Sequence, residues 1–149
     1  MTMNTVTDSD LLDALAAAVR QGRPVTVPVS GVSMGARFSG VDAIVITPVP
    51  FASVRIGTII VYRRNDKWVA HRVVRVIRSV SGRAYVTKGD AIHRFDDPPV
   101  SETGYIGVVT AVQSGARITV LGFRHHFYGL WRIAVGFAAI AAARLIGRR

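Results

Sequence analysis

Cysteine is missing altogether from these 149 residues. That excludes disulfide staples and thiolate metal sites, and it says nothing about compartment. Acids are scarce as well: nine Asp and Glu stand against 19 Lys and Arg, a formal charge of +10. Such an excess points to an anionic partner, a nucleic acid or an acidic lipid surface, and does not choose between them. Charged residues reach only 19% while hydrophobic ones make up 50%, so a disordered chain is excluded. The length suits one domain with a real core and is short for two. No repeat of roughly 20–50 residues is visible.

The first 22 residues, "MTMNTVTDSDLLDALAAAVRQG", lack the basic start and unbroken apolar core of a signal peptide; Asp8, Asp10 and Asp13 interrupt them. A short amphipathic helix is expected within residues 1–23. Asp8 or Ser9 would cap it, Leu11, Leu12 and Leu15 would form its apolar face, and Gly22 would end it before Pro24. Residues 24–122 then read as β structure. "VTVPV", "DAIVITPV", "TIIVYRR", "KWVAHRVVRVI", "RAYVTK", "YIGVVTAV" and "RITVLG" are rich in Val, Ile and Tyr, with Gly, Pro, Ser or Asn-Asp breaks between them. Seven strands without intervening helical patterns predict a mostly β fold, a compact antiparallel domain.

The remaining segment, 123–149, changes character. Ile133 to Ala143 carry no charge, and their Ala-rich composition predicts a helix buried in protein or lipid. This run is shorter than the roughly 20 residues that span a bilayer, unless Arg132 and Arg144 snorkel. Phe127, Tyr128 and Trp131 resemble an interfacial belt, and five arginines without an acid suit anionic headgroups. We therefore expect a C-terminal apolar and basic helix that associates with membrane. A C-terminal helix packed on the β domain is the alternative.

Three residue types could combine into chemistry. Ser33 follows a glycine-containing turn in "SGVSMGARFSG", His71 sits in the predicted strand "KWVAHRVVRVI", and acids follow at Asp90, Asp96 and Asp97. Each has an ordinary structural explanation: a turn serine, a strand histidine, and loop acids bonded to backbone. Together they offer a nucleophile, a base and an acid to orient the base. Serine needs a neighbour to accept its proton, and a histidine near its reference pKa of about 6.5 does so at neutral pH. Backbone N–H groups at the Gly31–Ser33 turn are placed to hold a developing oxyanion.

"VSGVSMGARFSGVDAIVI", "HRVVRV", "YVTKGDAIHRFDDPPV" and "IGVVTAV", in this order and spacing, resemble type I signal peptidases over roughly Val27 to Val112. The similarity is to the endoplasmic-reticulum-type branch and its bacterial relatives, in which histidine replaces lysine as the base. The resemblance implies that the β domain is like the signal peptidase catalytic core, with Ser33 as nucleophile and His71 as general base. Asp90 would be the acid of the Gly-Asp box. Asp96 would be the second acid, aligning better with Pro99-Val100 than Asp97 does. It also implies an extended peptide or precursor-protein substrate paired along strand edges, with no cofactor. Met34 would line that groove or fill the core.

The sequence departs from the family pattern at Ala36, Val41 and Thr58, and Gly31 removes a hydroxyl donor beside the nucleophile. The first expectation is therefore a membrane-associated serine endopeptidase, with the β domain on the cytoplasmic face. One alternative is a degenerate peptidase fold that binds peptide or membrane without turnover. Another is a repressor-type autoprotease domain. That branch uses a lysine base and needs more chain than residues 1–22 for a DNA-binding helix-turn-helix, so no nucleic acid partner is expected. His125 and His126 are adjacent and make no i, i+4 metal pair. The sequence does not determine an oligomeric state.

Overall fold

The computed structural model describes residues 8–35 and 38–122. The expected C-terminal helix at 123–149 and the departure at Ala36 lie outside them. One helix, α1 (Asp8–Arg20), precedes seven strands. They are β1 (Val25–Pro28), β2 (Ala43–Thr47), β3 (Ile59–Arg64), β4 (Lys67–Ser79), β5 (Gly82–Lys88), β6 (Tyr105–Ser114) and β7 (Arg117–Val120). Each strand falls on one of the seven Val-, Ile- and Tyr-rich segments. The turns between them explain why. Asn65 and Asp66 both have positive φ, 49° and 58°, and close the two-residue hairpin between β3 and β4 in the twist that such hairpins favour.

All strand pairs are antiparallel, in the order β1-β2-β6-β3-β4-β5, with β7 also on β6. β6 is the hub. One of its edges takes β2 along Val108–Gln113, and its other edge takes β3 at Tyr105–Val108 and then β7 at Ala111–Ser114. Laid flat, β1 and β5 would stand about five strand spacings apart, or about 24 Å. Yet the segment after β1 meets the segment after β5: the Ala91 N–H donates to the Ser33 carbonyl at 2.9 Å. The sheet is therefore strongly curled.

Strand alternation divides the core in two. Ile59 and Val61 join Val19, Ile44 and Ile46 on one side, while Ile60 and Tyr62 join Phe51, Tyr85 and Val108 on the other. Met34 belongs to the first cluster and is 8% exposed, so the turn carrying Ser33 is anchored by its neighbour's burial.

α1 ends as the sequence predicts. Gly22 has φ +86°, and the N–H groups of Gly22 and Arg23 return to the Val19 and Ala18 carbonyls, closing the helix through a left-handed residue. Its buried face differs in part from the expected one. Ala16 and Val19 are buried, whereas Leu11 is 52% exposed and Leu12 and Leu15 are half-buried. The cause lies in β6: Gly107 has no side chain, so Val19 Cγ1 comes within 3.3 Å of where a Cβ would stand. Small residues let helix and sheet close together; Leu15 still packs against this cluster, and Leu11 is left outside it. No helix among the described residues is long and apolar enough to cross a membrane.

A buried ion pair braces β4 against the segment after β5. Arg72 Nε and Nη2 donate to the two Asp90 carboxylate oxygens at 2.9 and 2.6 Å, and Nη1 donates to the Gly57 carbonyl at 2.8 Å. The two side chains are only 3% and 10% exposed. Removing one partner strands a buried charge, which costs about 3–5 kcal/mol. Asp90→Ala should lose stability on that scale in urea unfolding at pH 7, against no more than a few tenths for Asp97→Ala, whose parent residue is exposed.

Candidate active site

β3 and β4 pair Ile60 with His71 and Tyr62 with Val69, and β4 and β5 pair Val73 with Thr87. Residues opposite one another share a face, so Tyr62, His71 and Thr87 emerge on the same side of the sheet. Asp96 is brought under them by the segment after β5, where its N–H donates to the Thr87 carbonyl at 2.8 Å. One carboxylate oxygen, Asp96 Oδ2, then accepts three hydrogen bonds. They come from His71 Nδ1 at 2.7 Å, the Thr87 hydroxyl at 2.7 Å and the Tyr62 hydroxyl at 3.1 Å.

This network sets protonation states. Burial pushes the Asp96 carboxyl up, but hydrogen bonds from His71, Thr87 and Tyr62 and the charge of the imidazole outweigh it, leaving it below its ordinary 3.8. Burial also pushes the Tyr62 phenol up to about 12, with the Asp96 carboxylate adding to the effect and the Thr87 hydrogen bond opposing it. Tyr62 therefore stays a donor at neutral pH. Because Asp96 accepts at Nδ1, that nitrogen carries a proton, and in the neutral form of the ring the lone pair stands on Nε2. The Tyr62 oxygen lies 3.5 Å from Nδ1, a secondary contact beside the bond to Asp96.

Nε2 faces the serine turn. The β4–β5 ladder ends at Arg72↔Lys88, and one step further His71 stands opposite Gly89. A Cβ on Gly89 would lie 3.1 Å from His71 Nε2 and 2.6 Å from the Ser33 carbonyl oxygen. Those two atoms are therefore no further apart than the sum of the two distances, and only glycine leaves room for both. Ser33 occupies the second position of a turn closed by the Gly35 N–H on the Val32 carbonyl at 2.9 Å. Among the described residues no hydrogen bond joins Ser33 Oγ to His71, and none occupies the Ser33 N–H. Ser33, Met34 and His71 border one groove of about 1090 Å³.

The four sequence candidates thus divide. Ser33, His71 and Asp96 converge, with Asp96 rather than the exposed Asp97 facing the imidazole. Asp90 pairs with Arg72. Successive side chains on β4 point to opposite faces, so the partner of Arg72 lies across the sheet from the partner of His71. Tyr62 and Thr87 escaped sequence reasoning, and Gly89 was read only as the glycine of the Gly-Asp box. Their parity with His71 follows from the β3–β4–β5 register, which no pattern in the sequence fixes. Among the described residues no group of three or more His, Asp or Glu gathers as a metal site would require.

Two outcomes follow from this geometry. Gly89→Ala forces a Cβ against backbone, and overpacking of this kind costs about 1–3 kcal/mol; faster exchange of the Ala91 amide hydrogen should accompany the loss. Asp96 has a depressed carboxyl, so its contribution to stability is complete above its ordinary value of 3.8 and is lost as pH falls through the lower folded value. Urea unfolding between pH 5 and 2 should show that decline, and Asp96→Asn should flatten it.

Comparison of the chain with family models, with curated proteins and with solved structures found no match.

Proposed function

We propose that this chain is a serine endopeptidase of the signal-peptidase type, with Ser33 as nucleophile, His71 as general base and Asp96 as the acid that orients it. One observation carries the reading. The imidazole is gripped at Nδ1 by a three-donor carboxylate while Nε2 looks across Gly89 at the serine turn. That is how a histidine is held when Nε2 must take a proton.

In the proposed reaction His71 Nε2 accepts the Ser33 hydroxyl proton as Oγ bonds to the scissile carbonyl carbon. The negative charge on the carbonyl oxygen falls to the Ser33 N–H. Collapse of this intermediate breaks the C–N bond, with Nε2 giving its proton to the leaving amine. Water then repeats the sequence on the acyl ester, releasing the acid and restoring Ser33. The imidazolium formed in each half is paired with Asp96. The direct Oγ–Nε2 hydrogen bond is the part to be closed on binding, since such bonds are often long before substrate arrives.

Tyr62 and Thr87 act through Asp96 as positioning residues. Asp90 enters through Arg72, as a brace for the segment holding Gly89 and Ala91. The apolar, Arg-rich stretch at 123–149 supports attachment to an anionic membrane, with the β domain on the cytoplasmic face, and peptide or precursor protein is the substrate class. A second reading, a peptidase fold that binds peptide without turnover, draws on the absence of a hydrogen bond between Ser33 and His71.

The experiment is hydrolysis of fluorogenic peptides by the full chain in lipid vesicles. Ser33→Ala and His71→Ala should each lower kcat/KM by at least about 10³-fold with an unchanged circular dichroism spectrum. Full activity in either variant would sink the assignment. Labelling by a fluorophosphonate that disappears with Ser33→Ala would rule out the non-enzymatic reading.

A further inference from the structure

The groove that holds Ser33 and His71 has a wall that the catalytic arrangement does not use. Leu11, Leu12 and Leu15 of α1 line it together with Trp68, and Val32 and Met34, the neighbours of Ser33, line it too. These leucines are the residues that a helix of this pattern ordinarily sinks into a core. Here Ala16 and Val19 are buried and Leu15 packs only partly buried against the core, while Leu11 is 52% exposed; Val32, beside the serine, is 87% exposed. Apolar side chains left along a concave surface, beside a candidate catalytic group, mark a surface built to be covered.

The wall is joined to the sheet at two places. Val19 packs against β6 at Gly107, and the carboxylate of Asp13 accepts from Arg63 of β3 at 2.6 Å, fixing the helix at two points. A groove of about 1090 Å³ is far larger than one side chain needs, so its far end receives residues remote from the bond that Ser33 would attack. Asp13, the residue after Leu12, is paired with Arg63, and Asp66 and Lys67 also line the groove.

We propose that α1 is a specificity wall: Leu11, Leu12 and Leu15 receive a bulky apolar side chain of an extended peptide, several residues from the scissile bond. This rests on the endopeptidase reading for the identity of the occupant. Continuity of the groove with the Ser33–His71 site favours peptide over the other occupants, which are residues 123–149 of the same chain or a second copy.

The test scans a single leucine through short, otherwise Gly- and Ser-containing fluorogenic peptides, using the full chain. At one remote position leucine should raise kcat/KM about tenfold, the scale of one apolar pocket. Leu11→Ser, a change at a half-exposed site, should abolish that gain, bringing the leucine peptide down to the kcat/KM of the leucine-free one in the same variant. A flat scan, or a gain that survives both Leu11→Ser and the double variant Leu11→Ser/Leu12→Ser, overturns the proposal.

A second measurement separates it from the catalytic reading. In the Ser33→Ala protein the best leucine peptide should shift the methyl NMR signals of Leu11, Leu12 and Leu15. Shifts without turnover in the unsubstituted chain would refute the endopeptidase and keep the wall. Turnover without shifts would do the reverse. Contacts to Leu11 from residues 123–149, or from a second copy, in peptide-free protein would also overturn it.

Discussion

One hydrogen bond ties the two ends of the sheet together, from the Ala91 N–H to the Ser33 carbonyl. Everything about the candidate site depends on it. β1 and β5 are the terminal members of a six-strand path, and a serine after one would be remote from a glycine after the other without the curl. The brace behind this closure is the Arg72–Asp90 pair, which fixes the residue between Gly89 and Ala91. The opening in front of it is Gly89, whose missing side chain gives the serine turn and the imidazole a common boundary. Closure, brace and gap act as one constraint.

Strand β4 carries both halves of that constraint on consecutive residues. His71 faces the Tyr62–Thr87–Asp96 network, and Arg72 faces Asp90 on the other side. Two acids six residues apart thus have different work because a strand alternates its side chains with a period of two. Concentrating three donors on one oxygen of Asp96 keeps that acid ionised while partly buried, and an ionised acid is what holds a proton on Nδ1. The chemistry of the site is therefore decided by hydrogen-bond geometry around a carboxylate rather than by the histidine alone.

Much was legible in advance. β-branched and aromatic runs broken by Gly, Pro or Asn-Asp located all seven strands, because both signals act within a few residues and need no tertiary context. The helix and its stop at Gly22 were readable for the same reason. Ser33, His71 and Asp96 were nominated from residue type and from resemblance, and Asp96 was separated from Asp97 by alignment with Pro99-Val100. The apolar face of α1 was read only in part: Leu15 packs on the core, but Leu11 does not, and Ala16 and Val19 are the buried members. A helical pattern identifies which residues share a stripe, but not that a glycine on a distant strand would draw the small residues inward.

The sequence by itself determined the local alphabet of this protein: a helix, seven strands, their turns, and a short set of residues able to act as nucleophile, base and acid. Tertiary structure alone decided the pairings. Register set Tyr62 and Thr87 beside His71, alternation sent Asp90 to Arg72, and the curl of the sheet carried Ser33 to Gly89. Propensity acts between neighbours in the chain, whereas register and curvature are set by side chains far apart in it. No local pattern could have assigned those partners.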